Sequence, residues 1–314
     1  MDKALKLNTV QEKPGILRSE AERVTGFAFE AAMETLAIEE PLEIQLGYGA
    51  QGERAVKSIS VTMRTPGNDG ELAAGFLINE GVIRDADDID RIAHAKFDGS
   101  TIQDGDDSNV ISFSHRSRNN VVRVELFADV SVSLANLQRN FYTTSSCGIC
   151  GKASLLALRT VCPPRQPNIF TMSTKVLYEL PARMREAQSV FNRTGGLHGA
   201  ALFHSDGEML GLREDVGRHN AVDKLLGREF LAHRAPLRDT LLLLSGRASF
   251  ELLQKAVMGG ISMVASVGAP SSLAVQVARE FDVALVGFLR GEHFNVYHGL
   301  QHLTGLKAQK QSGA

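Results

Sequence analysis

Three continuous apolar runs, Leu241–Leu244, Ile261–Ser266 and Val283–Phe288, are separated by two stretches with helical apolar spacing, Phe250–Met258 and Ser272–Phe281. Runs this short and this apolar are strands buried on both faces, and the alternation with helices implies parallel strands under covering helices. Just upstream, Gly199–His204 and Glu208–Leu212 flank Ser205-Asp206-Gly207, a hairpin signal. This pattern constrains the fold more than any other feature: the second half of the chain is an α/β layer.

The first half has a different period. Leu42, Ile44 and Leu46 alternate with polar neighbours, as do Ile59, Val61 and Met63, and later Val122, Val124 and Leu126. Period two predicts half-buried strands, and Val110–Phe113 reads the same way. Asn68 followed by Glu71 predicts a capping box opening a helix that carries Leu72, Phe76 and Leu77 and ends at Gly81. Residues 1–38 are polar with weak periodicity and read as a loosely held arm with a short helix around 19–37. The expected organisation is therefore an arm over 1–38, a smaller β-rich α+β domain over 39–140, and an α/β domain over 141–314 with a mixed, largely parallel sheet.

With 314 residues, of which 43% are hydrophobic and 22% charged, the chain can bury a core without staples. A net charge of −2 offers no global field for nucleic acid or anionic lipid. No apolar stretch approaches the roughly 18 residues of a membrane span. The opening MDKALKLNTVQEKPG lacks the apolar core of a secretory leader, so a cytoplasmic protein is expected.

Only three cysteines occur, Cys147, Cys150 and Cys162, too few for a disulfide framework. Cys147-Gly148-Ile149-Cys150 follows a hydroxyl-rich run, Thr143-Thr144-Ser145-Ser146, and precedes Gly151-Lys152 and a stretch of helical spacing carrying Leu155, Leu158 and Cys162. A helix N-terminus and a neighbouring lysine both favour thiolate, the form that attacks sulfur. Structural zinc, dithiol redox and persulfide transfer all use such a pair. Zinc lacks an evident second ligand pair, since Cys162 shares the helical phase of Leu155 and Leu158 and only His198 and His219 are on offer.

A second candidate is the carboxyl edge of the parallel strands, where open α/β sheets bind ligands. The loops there read Ser245-Gly246-Arg247, Val267–Ser272 and Arg290-Gly291. Ser271 and Ser272 are placed to cap a helix, and Arg247 and Arg290 suit phosphate. Tight βα turns also use glycine and serine, so no single loop is diagnostic. A third candidate, Arg213-Glu214-Asp215-Val216-Gly217-Arg218-His219-Asn220, holds Asp215, His219 and, with Asp223, groups suited to acid–base work. A solvated helix start with a His219–Asp223 pair explains it equally well.

Together, Arg64-Thr65-Pro66-Gly67, Cys147-Gly148-Ile149-Cys150, Gly195-Gly196-Leu197-His198, Arg213 to Asn220 and Ser245-Gly246-Arg247 resemble the FdhD family of sulfur carriers needed for formate dehydrogenase activity. The resemblance runs in order from about residue 40 to about residue 300. It implies a sulfurtransferase in which a cysteine desulfurase hands persulfide sulfur to Cys147, with Cys150 as the second thiol. The sulfur then passes to the molybdenum bis-guanine-dinucleotide cofactor, bound as substrate, before insertion into formate dehydrogenase. It also implies a cytidine-deaminase-like C-terminal domain without the zinc motif, a homodimer, and cofactor contacts from Phe288, Leu289, Arg290, Gly291, Glu292 and His293. Ser245, Gly246, Arg247, Ser271 and Ser272 complete the expected cofactor site, and no metal of the protein's own is expected. The competing expectation is a nucleotide-cofactor chaperone with a metal-binding or redox cysteine pair.

Overall fold

The computed structural model describes residues 11–13, 15–94, 120–130, 132, 155, 158–159, 162 and 165–307. Cys147, Cys150 and the expected strand Val110–Phe113 lie outside the described residues.

Residues 16–37 form a hairpin, not a helix: β2 (Ile16–Thr25) pairs antiparallel with β3 (Ala28–Ala37), and β1 (Gln11–Lys13) joins the start of β2. The glutamates and alanines here favour helix, but Gly26 at φ 63° closes a two-residue turn that zips ten cross-strand pairs. Arg23 meets Glu34 across the strands at 2.7 Å.

The N-terminal sheet has the order β5-β4-β7-β6, built from β4 (Glu40–Tyr48), β5 (Ala55–Arg64), β6 (Ile89–His94) and β7 (Val121–Leu126). Leu42, Ile44, Leu46, Val122, Val124 and Leu126 face a core shared with α1 (Asp69–Asn79). In β5 the alternation breaks. Ile59 is buried, whereas Val61 is 65% exposed and Met63 48%. Ser60 pairs with Ile44 and Ser58 with Gln45, leaving Ile59 as the extra residue of a bulge that turns the rest of the strand over. The expected capping box is absent. Asn68 is left-handed with no side-chain cap, and Glu71 is spent on Arg213. Gly81 does follow the helix at φ 68°, donating to the Ile78 carbonyl.

A short strand β8 (Met172–Ser173) pairs with β15 (Leu303–Thr304) and leads into α2 (Thr174–Ala187) and α3 (Phe191–Thr194). The main sheet has the order β10-β9-β11-β12-β13-β14, from β9 (His198–Phe203), β10 (Met209–Asp215), β11 (Leu241–Leu244), β12 (Met263–Ser266), β13 (Ala284–Arg290) and β14 (His293–His298). Its centre, β11-β12-β13, is parallel as expected; β10-β9, β9-β11 and β13-β14 are antiparallel, so the sheet is mixed but not largely parallel. The helices α4 (Arg218–Leu231), α5 (Phe250–Met258) and α6 (Ser272–Glu280) cover one face, and α2 the other. Both faces of the central strands are therefore dry, which is why their sequence is continuous rather than alternating.

The two sheets are joined through α1 and α4, which cross at Gly75 and Gly227. Buried polar groups fasten the same joint. The Asp215 carboxylate accepts from the Thr65 amide at 3.1 Å and pairs with Lys224 at 2.7 Å, while Lys224 also donates to the Thr65 carbonyl. Arg64 forks onto Asp69 with two 3.0 Å bonds, and Asp223 takes Asn79 and Lys255. Leaving any of these polar groups unpartnered in a dry seam would cost about 1–3 kcal/mol or more.

Candidate functional site

The carboxyl ends of β11, β12 and β13 come together at one edge, and their loops extend the ladder past the strands. Gly268 donates to Gly246, Phe288 to Gly268, Ala248 to Ala269 and Ser271 to Ala248, all at 2.9–3.2 Å. Glycine is required by closeness here. A Cβ on Gly268 would stand 3.0 Å from the Gly246 carbonyl oxygen, and one on Gly287 would stand 2.7 Å from Pro270.

Ser245 and Ser271 both have backbone duties. The Ser245 hydroxyl accepts from the Gly199 amide at 2.9 Å, and Ser271 caps α6 by accepting from Ala274. Ser272 is exposed in the first turn of that helix. The segment Phe288–His293 is not a loop after the last strand. It is the end of β13, a turn at Gly291 and Glu292, and the start of β14. Leu289 is fully buried in the α2-side core and so faces away from any ligand at the edge, whereas Phe288, at φ 56°, Arg290, Glu292 and His293 are exposed.

Arg247 and Arg290 are exposed at this edge, and Arg218 stands half-buried at the start of α4. Among the described residues no carboxylate pairs with any of the three; Arg290 only donates to the Val267 carbonyl at 3.2 Å. Arg64, Arg213 and Arg54, by contrast, are each matched to an acid. Unmatched planar donors at a sheet edge suit the oxygens of phosphate.

Two histidines complete the edge. His198 packs against Gly246, whose added Cβ would lie 3.4 Å from His198 Nδ1. Burial, then the charges of Arg218 and His219, push its imidazole below the usual histidine range. His219 Nε2 lies 3.4 Å from Ser249 Oγ and 3.8 Å from Glu251. The nearby His219 imidazole, with lesser help from Ser249 and against the cost of burial, holds the Glu251 carboxyl at about 2. The site thus offers one imidazole kept neutral and one carboxylate kept charged.

The acid–base reading of Asp215 and Asp223 gives way to a structural one. Both are buried and ion-paired to Lys224 and Lys255, and His219 partners Ser249 and Glu251 in place of Asp223. Sequence reasoning missed Arg218 and Glu251 as edge residues. The signal for Glu251 was faint: an acid two positions after Ser249 in the first turn of a helix whose strand ends at the site. Cys162 and Leu155 both pack against the core, as the helical phase predicts, and burial raises the Cys162 thiol above the ordinary range despite Arg165.

A cavity opens at the opposite end of the sheet, at the seam between the sheets. It measures about 1160 Å³ and is lined by Arg84, Asp87, Arg165, Phe230, His233 and Arg238 among others. No helix of the described residues is long and apolar enough to cross a membrane.

Residues 37–304 match the model of the FdhD/NarQ family. The chain is 48% identical over 298 residues to the sulfur carrier protein FdhD of Streptomyces avermitilis, covering 93% of this chain and 96% of that relative. It is 50% identical over 270 residues to the sulfur carrier protein FdhD of Mycolicibacterium paratuberculosis, covering 85% and 91%. A crystal structure described as a formate dehydrogenase accessory protein from Desulfotalea psychrophila shares the fold, with a TM-score of 0.66 and 21% identity over 92% of this chain and all of the other.

Proposed function

Because the chain belongs to the FdhD/NarQ family, we propose that it is a sulfur carrier that loads sulfur onto a phosphate-bearing cofactor destined for formate dehydrogenase. Relatives named for sulfur carriage at nearly half identity over most of the chain support the carrier role. The observation that carries the cofactor half is the trio Arg218, Arg247 and Arg290, brought to one sheet edge without acidic partners among the described residues.

In this reading a cysteine desulfurase bearing a persulfide is the donor. The Cys147 thiolate attacks the outer sulfur; a new S–S bond forms on Cys147, the donor's S–S bond breaks, and the donor cysteine leaves as thiolate. Cys150 is the second thiol of the pair. The molybdenum bis-guanine-dinucleotide cofactor is the acceptor, bound as substrate by its pyrophosphate oxygens. Arg218, Arg247 and Arg290 would hold those oxygens, while Phe288, Gly291, Glu292 and His293 would flank the bound cofactor. The chain then divides into an arm, an N-terminal domain and a cytidine-deaminase-like C-terminal domain, works in the cytoplasm, and pairs as a homodimer.

The test is incubation with a cysteine desulfurase and free cysteine, read by intact mass. One added sulfur atom, lost in Cys147→Ala, is the expected result. Absence of any gain, with guanine nucleotide still bound at the arginine edge, would instead favour a cofactor chaperone. Stoichiometric zinc on the cysteine pair would favour a metal-binding module.

A further inference from the structure

His198 opens β9 at the sheet edge, with its ring against Gly246. The residue is half-buried, yet among the described residues neither ring nitrogen has a hydrogen-bond partner. Every other polar side chain that lines this edge from the same two strands is committed. Ser245 accepts from the Gly199 amide, and Glu214 accepts from the amides of Val190 and Phe191. A half-buried imidazole without a partner stands out against them, because polar groups leaving water are normally bonded.

The charges around the ring divide unequally. From α4, Arg218 and His219 both oppose a proton on it, whereas from β10 only Asp215, its partner across the ladder, favours one. Asp215 is itself spent on Lys224 and the Thr65 amide. The loop after β11 brings Arg247 to the same edge, and the β13–β14 turn brings Arg290, Glu292 and His293. Glu251 lies beside His219, 3.8 Å away. An imidazole among cations stays neutral until an anion offsets them, and a neutral imidazole donates from one nitrogen only. An oxyanion held by Arg218 does both things at once: it cancels the charge that opposes the proton, and it accepts from the ring.

We propose that His198 is a further ligand of the bound pyrophosphate, and that it takes one proton from solvent as the pyrophosphate binds beside Arg218. The inference rests on the reading of this edge as the pyrophosphate site. Proton and anion then tighten each other's binding by the same factor. Loading of the cofactor becomes a pH-dependent step, favoured while the imidazolium is available and weakened as the pH climbs and the proton leaves.

Diguanosine pyrophosphate is a suitable probe. It is a diester without the phosphate-monoester ionisation at about pH 6, so a proton taken up on binding belongs to the protein. Calorimetric titration of the full chain, in two buffers of different ionisation enthalpy, reads affinity and proton uptake together. Binding is expected to be about tenfold tighter at about pH 5.5 than at about pH 8, with net proton uptake between them. In carbon-13-histidine-labelled protein the His198 ring, identified as the signal that Arg218→Gln moves, is expected to titrate at higher pH with the diester bound. His198→Gln is expected to bind more weakly and with the same affinity at both pH values. If that variant does not fold, the wild-type ring decides, and a midpoint unmoved by the diester would overturn the inference. Equal affinity at both pH values would overturn it while leaving the pyrophosphate edge standing. A pH dependence that survives in His198→Gln would also overturn it, and would pass the proton to His219 or His293. No binding at either pH would remove the pyrophosphate edge and this inference with it.

Discussion

Gly75 and Gly227 face each other where α1 crosses α4: a Cβ on Gly75 would stand 2.9 Å from the Gly227 amide nitrogen, and one on Gly227 would stand 2.7 Å from that of Gly75. Neither can grow without driving the helices apart. Gly75→Ala or Gly227→Ala is therefore expected to cost about 3 kcal/mol, the upper end of overpacking penalties, despite alanine's better helix propensity. Denaturant unfolding of each variant measures this. A stability equal to the parent's would show that the crossing relaxes.

Lys255 and Asp223 form a buried ion pair at 2.8 Å, with Asn79 as a third partner. Lys255→Met leaves the carboxylate uncompensated and should destabilise by about 3–5 kcal/mol, whereas Lys255→Met with Asp223→Leu should recover most of that loss. Burial opposes the charge on Lys255 most strongly, but Asp223, Glu80 and Glu251 together outweigh it, so the ammonium's pKa is raised. Its contribution is therefore present below the ordinary lysine range and is lost only as pH climbs through the raised value. A double-mutant cycle in urea, repeated at alkaline pH, checks both statements.

Glu251 is held at about 2 chiefly by the His219 imidazole 3.8 Å away. A depressed carboxyl stabilises the fold above its unfolded value near 4.5, and that contribution fades as pH falls toward 2. His219→Ala should return the Glu251 carboxyl toward the ordinary range, visible as a shifted carbon-13 titration. An unmoved midpoint would assign the depression to the helix start instead.

His198 is pushed down by burial, then by Arg218 and His219. Protonating it costs the folded state more than the unfolded one, so its effect is absent above about pH 6.5 and grows as pH drops below that value. Its ring should titrate below the usual histidine range by proton NMR, and Arg218→Gln should bring it part of the way back. A midpoint that ignores Arg218 would rule out that charge as a cause.

Cys162 is partly buried and its thiol is raised, burial outweighing Arg165. Cys162→Ser should leave sulfur loading unchanged, and Cys162 should alkylate slowly at neutral pH. Loss of loading in that variant would put a third thiol into the transfer.

The α/β layer was legible because strands covered on both sides carry unbroken apolar runs, as Leu241–Leu244 does. The hairpin at residues 16–37 was not. Its Glu- and Ala-rich strands favour helix locally, and what overrides that preference is pairing between residues up to twenty-one positions apart, as Ile16 with Ala37. The bulge at Ile59 was hidden for a related reason, since a strand of period two shows no break until its partner's register is known. At the site, the gathering of Arg247, Arg290 and Ser271 at one edge followed from topology alone. The roles of Asp215 and Asp223 did not, because Lys255 reaches Asp223 from thirty-two positions away and the Thr65 amide reaches Asp215 from one hundred and fifty.

The seam at Thr65, Asp215 and Lys224 also bears on how such a chain can change over generations. The main chain of one half is gripped by side chains of the other, and two glycines meet backbone to backbone beside it. A recombinant that imported residues 40–126 from a distant relative would bring its own Thr65 and Gly75 to a socket cut for different ones. Residues 213–227 would have to travel with them. The halves are thus expected to be inherited as one piece.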